Sequence, residues 1–235
     1  MAIRIAERFM GPPGSGQGGY TCGLVAAEIG VPVAEVSLRS PPPLERELAV
    51  LRSGDVVAVM DGETLVAEGR PATLELEVPE PVDVDVATAA SKAGERLWTA
   101  EHPFGTCFVC GPGREPGDGY RLVPGELPGR PGTFAAVWTP DESVAEDGAV
   151  RRECVWAALD CPTAAPVTPF GTGMTAVLAR LTARLDAPVS PGEPHVVVSW
   201  GLGVEGRKRH GAAALFTAAG ELLAESRALW IELRG

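Results

Sequence analysis

The last part of the chain, from about residue 175 to residue 233, is rich in predicted β-strands, and the first of them shows clear alternation of apolar and polar residues. In residues 177–186, valine, alanine and leucine recur at every second position, with polar residues between them in the second part of the segment. A period of two is typical of a half-buried β-strand whose polar face points outward. Residues 196–204, 212–217 and 222–233 follow as further strand segments, so we predict four consecutive strands there.

The first half contains a shorter version of the same pattern. Residues 33–38 alternate, and residues 56–60 and 64–68 flank Asp61-Gly62, which is a dipeptide typical of hairpin turns. We predict a strand and a hairpin in this region. Further strands are predicted at residues 44–50, 74–78, 120–123 and 133–138.

Two segments have the spacing of buried helices instead. In residues 20–29, apolar side chains recur every three or four positions, and Gly30 is a typical helix end. In residues 151–162 (RRECVWAALDCP), the apolar face includes Trp156, and Pro162 cannot continue the helix because it has no N–H. We therefore predict one apolar helix ahead of each group of strands.

Residues also repeat between the two halves. Residues 65–76 (LVAEGRPATLEL) and 222–233 (LLAESRALWIEL) are identical at six of twelve positions. The helices align as well, with Cys22, Ala26 and Glu28 set against Cys154, Ala158 and Asp160. Matches in the same order across helix, turn and final strand favour a duplicated fold over chance similarity of amphipathic strands.

A segment rich in proline, acidic residues and valine separates the halves at residues 79–85, and residues 87–98 could form a short helix. We place the linker at about residues 80–100. The predicted domains are an N-terminal half, residues 1–95, and a C-terminal half, residues 96–235.

Composition and charge exclude several classes of function. Of the 235 residues, 45% are hydrophobic and 22% are charged, which favours a folded protein. The net charge of −11 argues against a nucleic-acid partner, since binding phosphates takes clustered lysine and arginine. No apolar run reaches the length of a membrane span, and the first residues lack a signal-peptide core. We expect a cytoplasmic protein whose cysteines are thiols.

Three motifs then resemble the hot-dog superfamily, specifically thioesterases of the acyl-CoA type, most clearly over residues 102–233. They are Cys107-Phe108-Val109-Cys110-Gly111 followed by Gly117-Asp118-Gly119, the strand that ends in Pro188-Val189-Ser190-Pro191-Gly192, and the hairpin from Gly220 to Ala228. The resemblance implies an α+β fold. With the repeat, it implies a double hot-dog in which two curved antiparallel sheets each wrap around one central helix. Two such units leave a deep groove between their helices. The sequence leaves open whether the whole chain pairs again into a homodimer.

The same resemblance points to an active site at a helix start. Gln17-Gly18-Gly19 ahead of the helix with Glu28 is similar to the His-Gly-Gly start and following carboxylate of family members. The chain departs from that pattern, because Gln17 replaces the histidine and Glu28 lies two residues further on. In the second half, Arg151, Arg152 and Glu153 stand where the glycines belong. The sequence leaves open which half is catalytic.

Thioester hydrolysis takes an oxyanion hole and a carboxylate. The resemblance implies that backbone N–H groups of Gly18, Gly19 and Tyr20 polarise the carbonyl at the positive end of the helix dipole. Asp160 is the first candidate for the general base or nucleophile, since a helix of alanine, valine, leucine and tryptophan has no structural need for it. The alternative is a structural role, in which Asp160 is solvated at the helix end or caps the turn at Pro162. Glu28 and Glu153 are the other candidates.

The expected substrate is an acyl-CoA or acyl-carrier thioester. Its acyl chain would lie between the halves against Trp156 and Leu24. The basic run Arg207-Lys208-Arg209 is the best site for the CoA phosphates, although such runs are usually solvated turns. A non-catalytic acyl-CoA-binding protein is the alternative, favoured by the missing histidine and glycines. A dehydratase ranks last because no histidine lies in a helix-loop motif.

The cysteines suggest no cofactor. Cys107 and Cys110 form a single C-x-x-C, zinc usually takes four ligands, and the nearest further candidate is His102. No second pair has the required spacing. We therefore expect packed thiols, with no metal and no cofactor.

Overall fold

The computed structural model describes residues 1–100, 102–115, 117–168 and 173–234. The α-helices are α1 (Gly18–Ile29), α2 (Val84–Ala100) and α3 (Arg152–Ala158), and short 3-10 turns lie at Glu7–Phe9, Glu142–Val144 and Cys161–Ala164. The strands are β1 (Ala2–Arg4), β2 (Val33–Leu38), β3 (Glu47–Ser53), β4 (Val56–Asp61), β5 (Thr64–Pro71), β6 (Gly125–Glu126), β7 (Thr133–Trp138), β8 (Ala145–Glu146), β9 (Ala149–Val150), β10 (Ala176–Leu185), β11 (His195–Glu205), β12 (Lys208–Thr217) and β13 (Leu222–Glu232).

The two halves have the same strand connections. After α1 the strands β2 to β5 lie in the order β3-β4-β5-β2, and after α3 the strands β10 to β13 lie in the order β11-β12-β13-β10. In each half, a strand that precedes the helix pairs with the outer strand of that order: β1 pairs with β3, and β7 pairs with β11. The duplication that the sequence repeat predicts is thus present in the topology.

The halves do not form the two separate sheets that were predicted. β2 pairs antiparallel with β10, from Ser37 opposite Arg180 to Val33 opposite Arg184, and this joins all strands except the β8–β9 hairpin into one 11-stranded sheet. The physical reason is that β2 and β10 would otherwise be edges with unpaired backbone groups. Pairing them satisfies both edges at once.

The two helices also share one core, which spans both halves. α1 and α3 pack closely against each other through Gly19 and Gly23. A Cβ atom at Gly19 would lie 2.5 Å from Cβ of Asp160, and one at Gly23 would lie 2.4 Å from Cα of Glu153. Only glycine permits this approach of the two backbones, so the helices meet through α1's glycine face.

Three expectations about single elements are corrected. Residues 74–78 and 120–123 form no strand; Leu74 is buried, so the alternation at 74–78 reflects contact with the core and not a ladder of hydrogen bonds. The short helix predicted in the linker is longer, and α2 packs against strands of the second half through Ala87 and Ala90. The division at residue 95 falls inside this helix. Among the described residues, no helix has both the length and the apolar character that crossing a lipid bilayer takes.

Candidate active site

A cavity of about 490 Å³ lies where the start of α1 meets the end of α3. Strands β10 and β13 and the segment after α2 complete its wall. Most of the wall is apolar, and the large side chains in it are Trp98, Phe104, Met174, Leu178, Trp230 and Ile231. An apolar cavity with a few polar groups in one place is the usual form of a small-molecule site. Here two of the polar groups, Gln17 and Asp160, lie at the two helix ends, and others, among them Arg39, Ser40 and His102, lie elsewhere in the wall.

The start of α1 is held by Gln17, which is 1% exposed. Gln17 is the N-cap: its backbone is extended, and its side-chain Oε1 accepts a hydrogen bond of 2.6 Å from the N–H of Tyr20. This bond fixes the side-chain amide and leaves its Nε2 pointing away from the helix. Nε2 donates to the carboxylate of Asp160 and lies 3.6 Å from Sγ of Cys161.

Asp160 follows the last turn of α3 and is 2% exposed. Its Oδ2 accepts a 2.7 Å hydrogen bond from the N–H of Gly19 as well as the bond from Gln17. Its main-chain oxygen accepts from both the N–H and the hydroxyl of Thr163. The other carboxylate oxygen, Oδ1, has no hydrogen-bond partner within the described part of the chain. One oxygen is therefore held by two hydrogen bonds, and the other has none within the described residues.

Burial raises the pKa of Asp160 to about 8. The hydrogen bond from Gly19 opposes that rise, nearby Cys107 adds to it, and the bond from Gln17 also opposes it. An acid of this strength exchanges its proton near neutral pH, which is what a general acid or base needs.

The three predicted oxyanion donors differ in whether their N–H groups already have an acceptor. The N–H of Gly19 is bonded to Asp160, and that of Tyr20 to Gln17. The Tyr20 ring is buried and stacked on Phe9, with ring centroids 3.9 Å apart. Gly18 lines the cavity, and its N–H stands at the first position of α1, where the helix itself supplies no acceptor. Gly18 is thus the donor that remains available.

The other predicted carboxylates lie outside the cavity wall. Glu28 forms an ion pair with Arg52 at 2.9 Å, and Glu153 forms one with Arg151 at 3.5 Å. Trp156 is buried against α1 and is not part of the wall either. The structure therefore brings Asp160, Gln17 and Gly18 together and leaves these three residues elsewhere.

The basic run lies in the turn between β11 and β12 and at the start of β12, and none of its three residues lines the cavity. Arg209 donates to the main-chain oxygen of Val167 and to the carboxylate of Glu232, and Arg207 donates to the main-chain oxygen of Glu232. Lys208 lies 3.7 Å from Glu205. These cations hold the turn and the end of β13 in place.

Sequence reasoning missed the thiol side of the cavity. Cys107, Cys110 and Cys161 all line it and are all buried. The C-x-x-C spacing drew attention to Cys107 and Cys110, but Cys161 lies more than 50 positions further along the sequence. The signal that existed was its place next to Asp160. His102 also lines the cavity, where its Nδ1 accepts a hydrogen bond from the N–H of Phe104.

Comparison with known proteins supports this architecture. No protein-family model and no curated protein matches the chain. Among solved structures, the chain resembles a TesB protein from Mycobacterium avium subsp. paratuberculosis, with a TM-score of 0.63, 11% identity, and coverage of 99% of this chain and 92% of that one. It also resembles acyl-CoA thioesterase II TesB2 from Mycobacterium marinum, with a TM-score of 0.58, 11% identity, and coverage of 92% and 90%.

A third structure, from Novosphingobium aromaticivorans, is provisionally assigned as a thioesterase. It has a TM-score of 0.58 and 19% identity, and the match covers 100% of this chain and 95% of that one. At these identities what the proteins share is the fold. The chain therefore has the hot-dog fold of these structures over its whole length, which confirms the hot-dog fold that the sequence motifs implied but not its division into two sheets.

Proposed function

We propose that the protein hydrolyses acyl thioesters, with CoA or an acyl carrier as the thiol. The observation that carries the proposal is Asp160: a buried carboxylate in the wall of an apolar cavity, with one oxygen held by Gln17 and Gly19 and the other without a partner among the described residues. A carboxylate in such surroundings is costly to a structure unless it serves a purpose. Solved structures of the same fold that are named as thioesterases add support.

The thioester carbonyl would be polarised at the start of α1. The Gly18 N–H is at the positive end of a 12-residue helix, and a donor there stabilises negative charge on the oxygen. A Cβ atom at Gly18 would lie 3.3 Å from Oδ2 of Asp160, so the donor and the carboxylate adjoin each other. Glycine at this position leaves room for Leu178, whose Cδ2 would lie 2.9 Å from an added Cβ atom.

Asp160 then acts on water. Its Oδ1 takes a proton from a water molecule as the water oxygen bonds to the carbonyl carbon. When the intermediate collapses, the carbon–sulfur bond breaks. Asp160 returns its proton to the departing sulfur, which leaves as the thiol. Gln17 and Gly19 keep the carboxylate oriented through both steps, so their role is positioning.

The apolar wall provides the acyl site. Trp98, Phe104, Leu178 and Trp230 surround a volume in the usual range for a small-molecule ligand. This wall replaces Trp156 and Leu24 as the proposed contact surface of the acyl chain, because those two are not among the residues that line the cavity.

The test is hydrolysis of a panel of acyl-CoA esters by the wild type and by Asp160→Asn, with thiol release as the readout. We expect the wild type to release CoA from at least one ester and the variant to lose that activity while still binding a non-hydrolysable acyl-CoA thioether. If the wild type binds the thioether and hydrolyses no ester, the non-catalytic binding protein is the correct alternative. Full activity in Asp160→Asn would remove the assigned role of Asp160.

A further inference from the structure

Three thiols from two distant segments converge at the wall of the cavity. Sγ atoms of Cys107, Cys110 and Cys161 all lie within 4.8 Å of one another, and those of Cys107 and Cys161 are 3.8 Å apart. All three residues are buried. The proposed hydrolysis uses none of them, so the cluster calls for a separate explanation.

The C-x-x-C turn is closed tightly at Cys107. The N–H of Gly111 donates to the carbonyl of Cys107 at 2.9 Å. A Cβ atom at Gly111 would lie 2.5 Å from the main-chain N and O of Cys107, so the turn closes this tightly only with glycine. The turn therefore keeps the sulfurs of Cys107 and Cys110 close enough together to reach one ion.

The spacing of the sulfurs also matches a metal site. Two sulfurs bound tetrahedrally to one zinc ion at about 2.3 Å are about 3.8 Å apart, which is the separation of the Cys107 and Cys161 sulfurs. Soft thiolate ligands select zinc over the hard cations that oxygen ligands prefer.

We propose that Cys107, Cys110 and Cys161 bind a zinc ion, with the fourth coordination position toward the cavity. The cavity side follows from the fact that all three residues line its wall. Bound metal would tie the loop after α2 to the segment that carries Asp160, because Cys161 directly follows it. The proposal goes beyond the proposed hydrolysis and does not depend on it.

The test measures metal directly. We expect full-length protein, purified after growth with added zinc, to contain about one zinc ion per chain by elemental analysis. Loss of a group that only orients a ligand weakens metal affinity about 10–100-fold, so Cys161→Ser, which removes a ligand, is expected to weaken zinc binding at least that much. Cys22→Ser is the matched control, since Cys22 is buried outside the cluster near the carbonyl of Val36, and it should keep the wild-type metal content.

A second measurement needs no variant. Cobalt(II) added to the metal-free wild type should give the charge-transfer absorption of thiolate–cobalt bonds together with tetrahedral d–d bands, and zinc should displace both. Circular dichroism checks that Cys161→Ser is folded. Absence of metal and of the cobalt bands in the wild type overturns the site, as does a folded Cys161→Ser that binds zinc as tightly as the wild type. Iron in place of zinc overturns the choice of metal.

Discussion

The two ends of the α1–α3 helix pair occupy equivalent positions in the two repeats, but their residues differ in chemistry. Asp160 is 132 positions after Glu28, and Arg151 is 132 positions after Gly19, so the two ends are equivalent by sequence. At one end the glycine start of α1 meets Asp160 in a cavity. At the other end the guanidinium of Arg151 lies over the Phe9 ring, 5.6 Å from its centroid, and Glu28 is paired with Arg52.

The difference shows what a composite site requires. One site takes a glycine-rich helix start from the first half and a carboxylate from the second half. The remaining helix start and the remaining carboxylate are then used for packing and for surface ion pairs. The proposed site takes its helix start from one half and its carboxylate from the other, so neither half of the sequence contains the full pattern by itself.

The sharpest test of the comparison is the loss of the carboxylate at the site end. Asp160→Asn keeps the shape of the side chain but removes the base, and general-base catalysis is worth about 10²–10⁴-fold in rate. We expect a fall of that size in kcat/KM for the best acyl thioester, measured by thiol release. A fall of less than about tenfold would mean that Asp160 is not the base.

Side chains added between the helices should reduce stability. Gly19→Ala and Gly23→Ala each place a methyl group against the backbone of α3, and such overpacking costs about 1–3 kcal/mol or more. Urea denaturation should show this loss in both variants. Gly105→Ala, where a Cβ atom meets nothing within 4 Å, should leave stability near the wild type.

The variants Gly19→Ala and Gly23→Ala also distinguish the two ends of the helix pair by their effects on activity. Gly19 donates its N–H to Asp160, whereas Gly23 faces Glu153 at the other end. Activity per folded molecule should therefore fall in Gly19→Ala and stay near the wild type in Gly23→Ala. Equal losses of activity would show that the helix contact as a whole, and not its Asp160 end, controls catalysis.

Removal of the amide that holds Asp160 should have a smaller effect. Gln17→Ala deletes the donor to Oδ2 and the N-cap acceptor for Tyr20, which costs about 1 kcal/mol of stability and about tenfold in kcat. Steady-state kinetics should show the change in kcat with little change in KM. At the equivalent end, Arg151→Ala should lose about 0.5–1 kcal/mol from the contact with Phe9 and keep kcat.

The smallest effect is expected at Glu28. Its ion pair with Arg52 is near the surface, and such pairs contribute about 0–1 kcal/mol. Glu28→Gln should keep kcat/KM within about twofold and the midpoint of urea unfolding nearly unchanged. A large loss of activity would make Glu28 a participant and would restore the symmetry between the two ends.

Much of the local structure could be predicted from the sequence. The period of two predicted β2 and β10, strand-like segments predicted β7 and β11 to β13, and Asp61-Gly62 predicted the β4–β5 turn. The alternation at 74–78 gave a false strand, because a buried Leu74 imposes the same pattern without a ladder. For the site, Asp160 stood out as a carboxylate in an apolar helix, and Gln17-Gly18-Gly19 as a helix start. Neither pattern showed that the two would meet.

The sequence by itself determined the elements, the duplication and the residue types of the site, because hydrophobic period and turn residues act over a few positions. Only the tertiary structure decided that β2 and β10 join one sheet, that Asp160 faces the start of α1, and that Cys161 joins Cys107 and Cys110. These are contacts between residues more than 50 positions apart. They follow from how the two halves pack, and no local pattern encodes that packing.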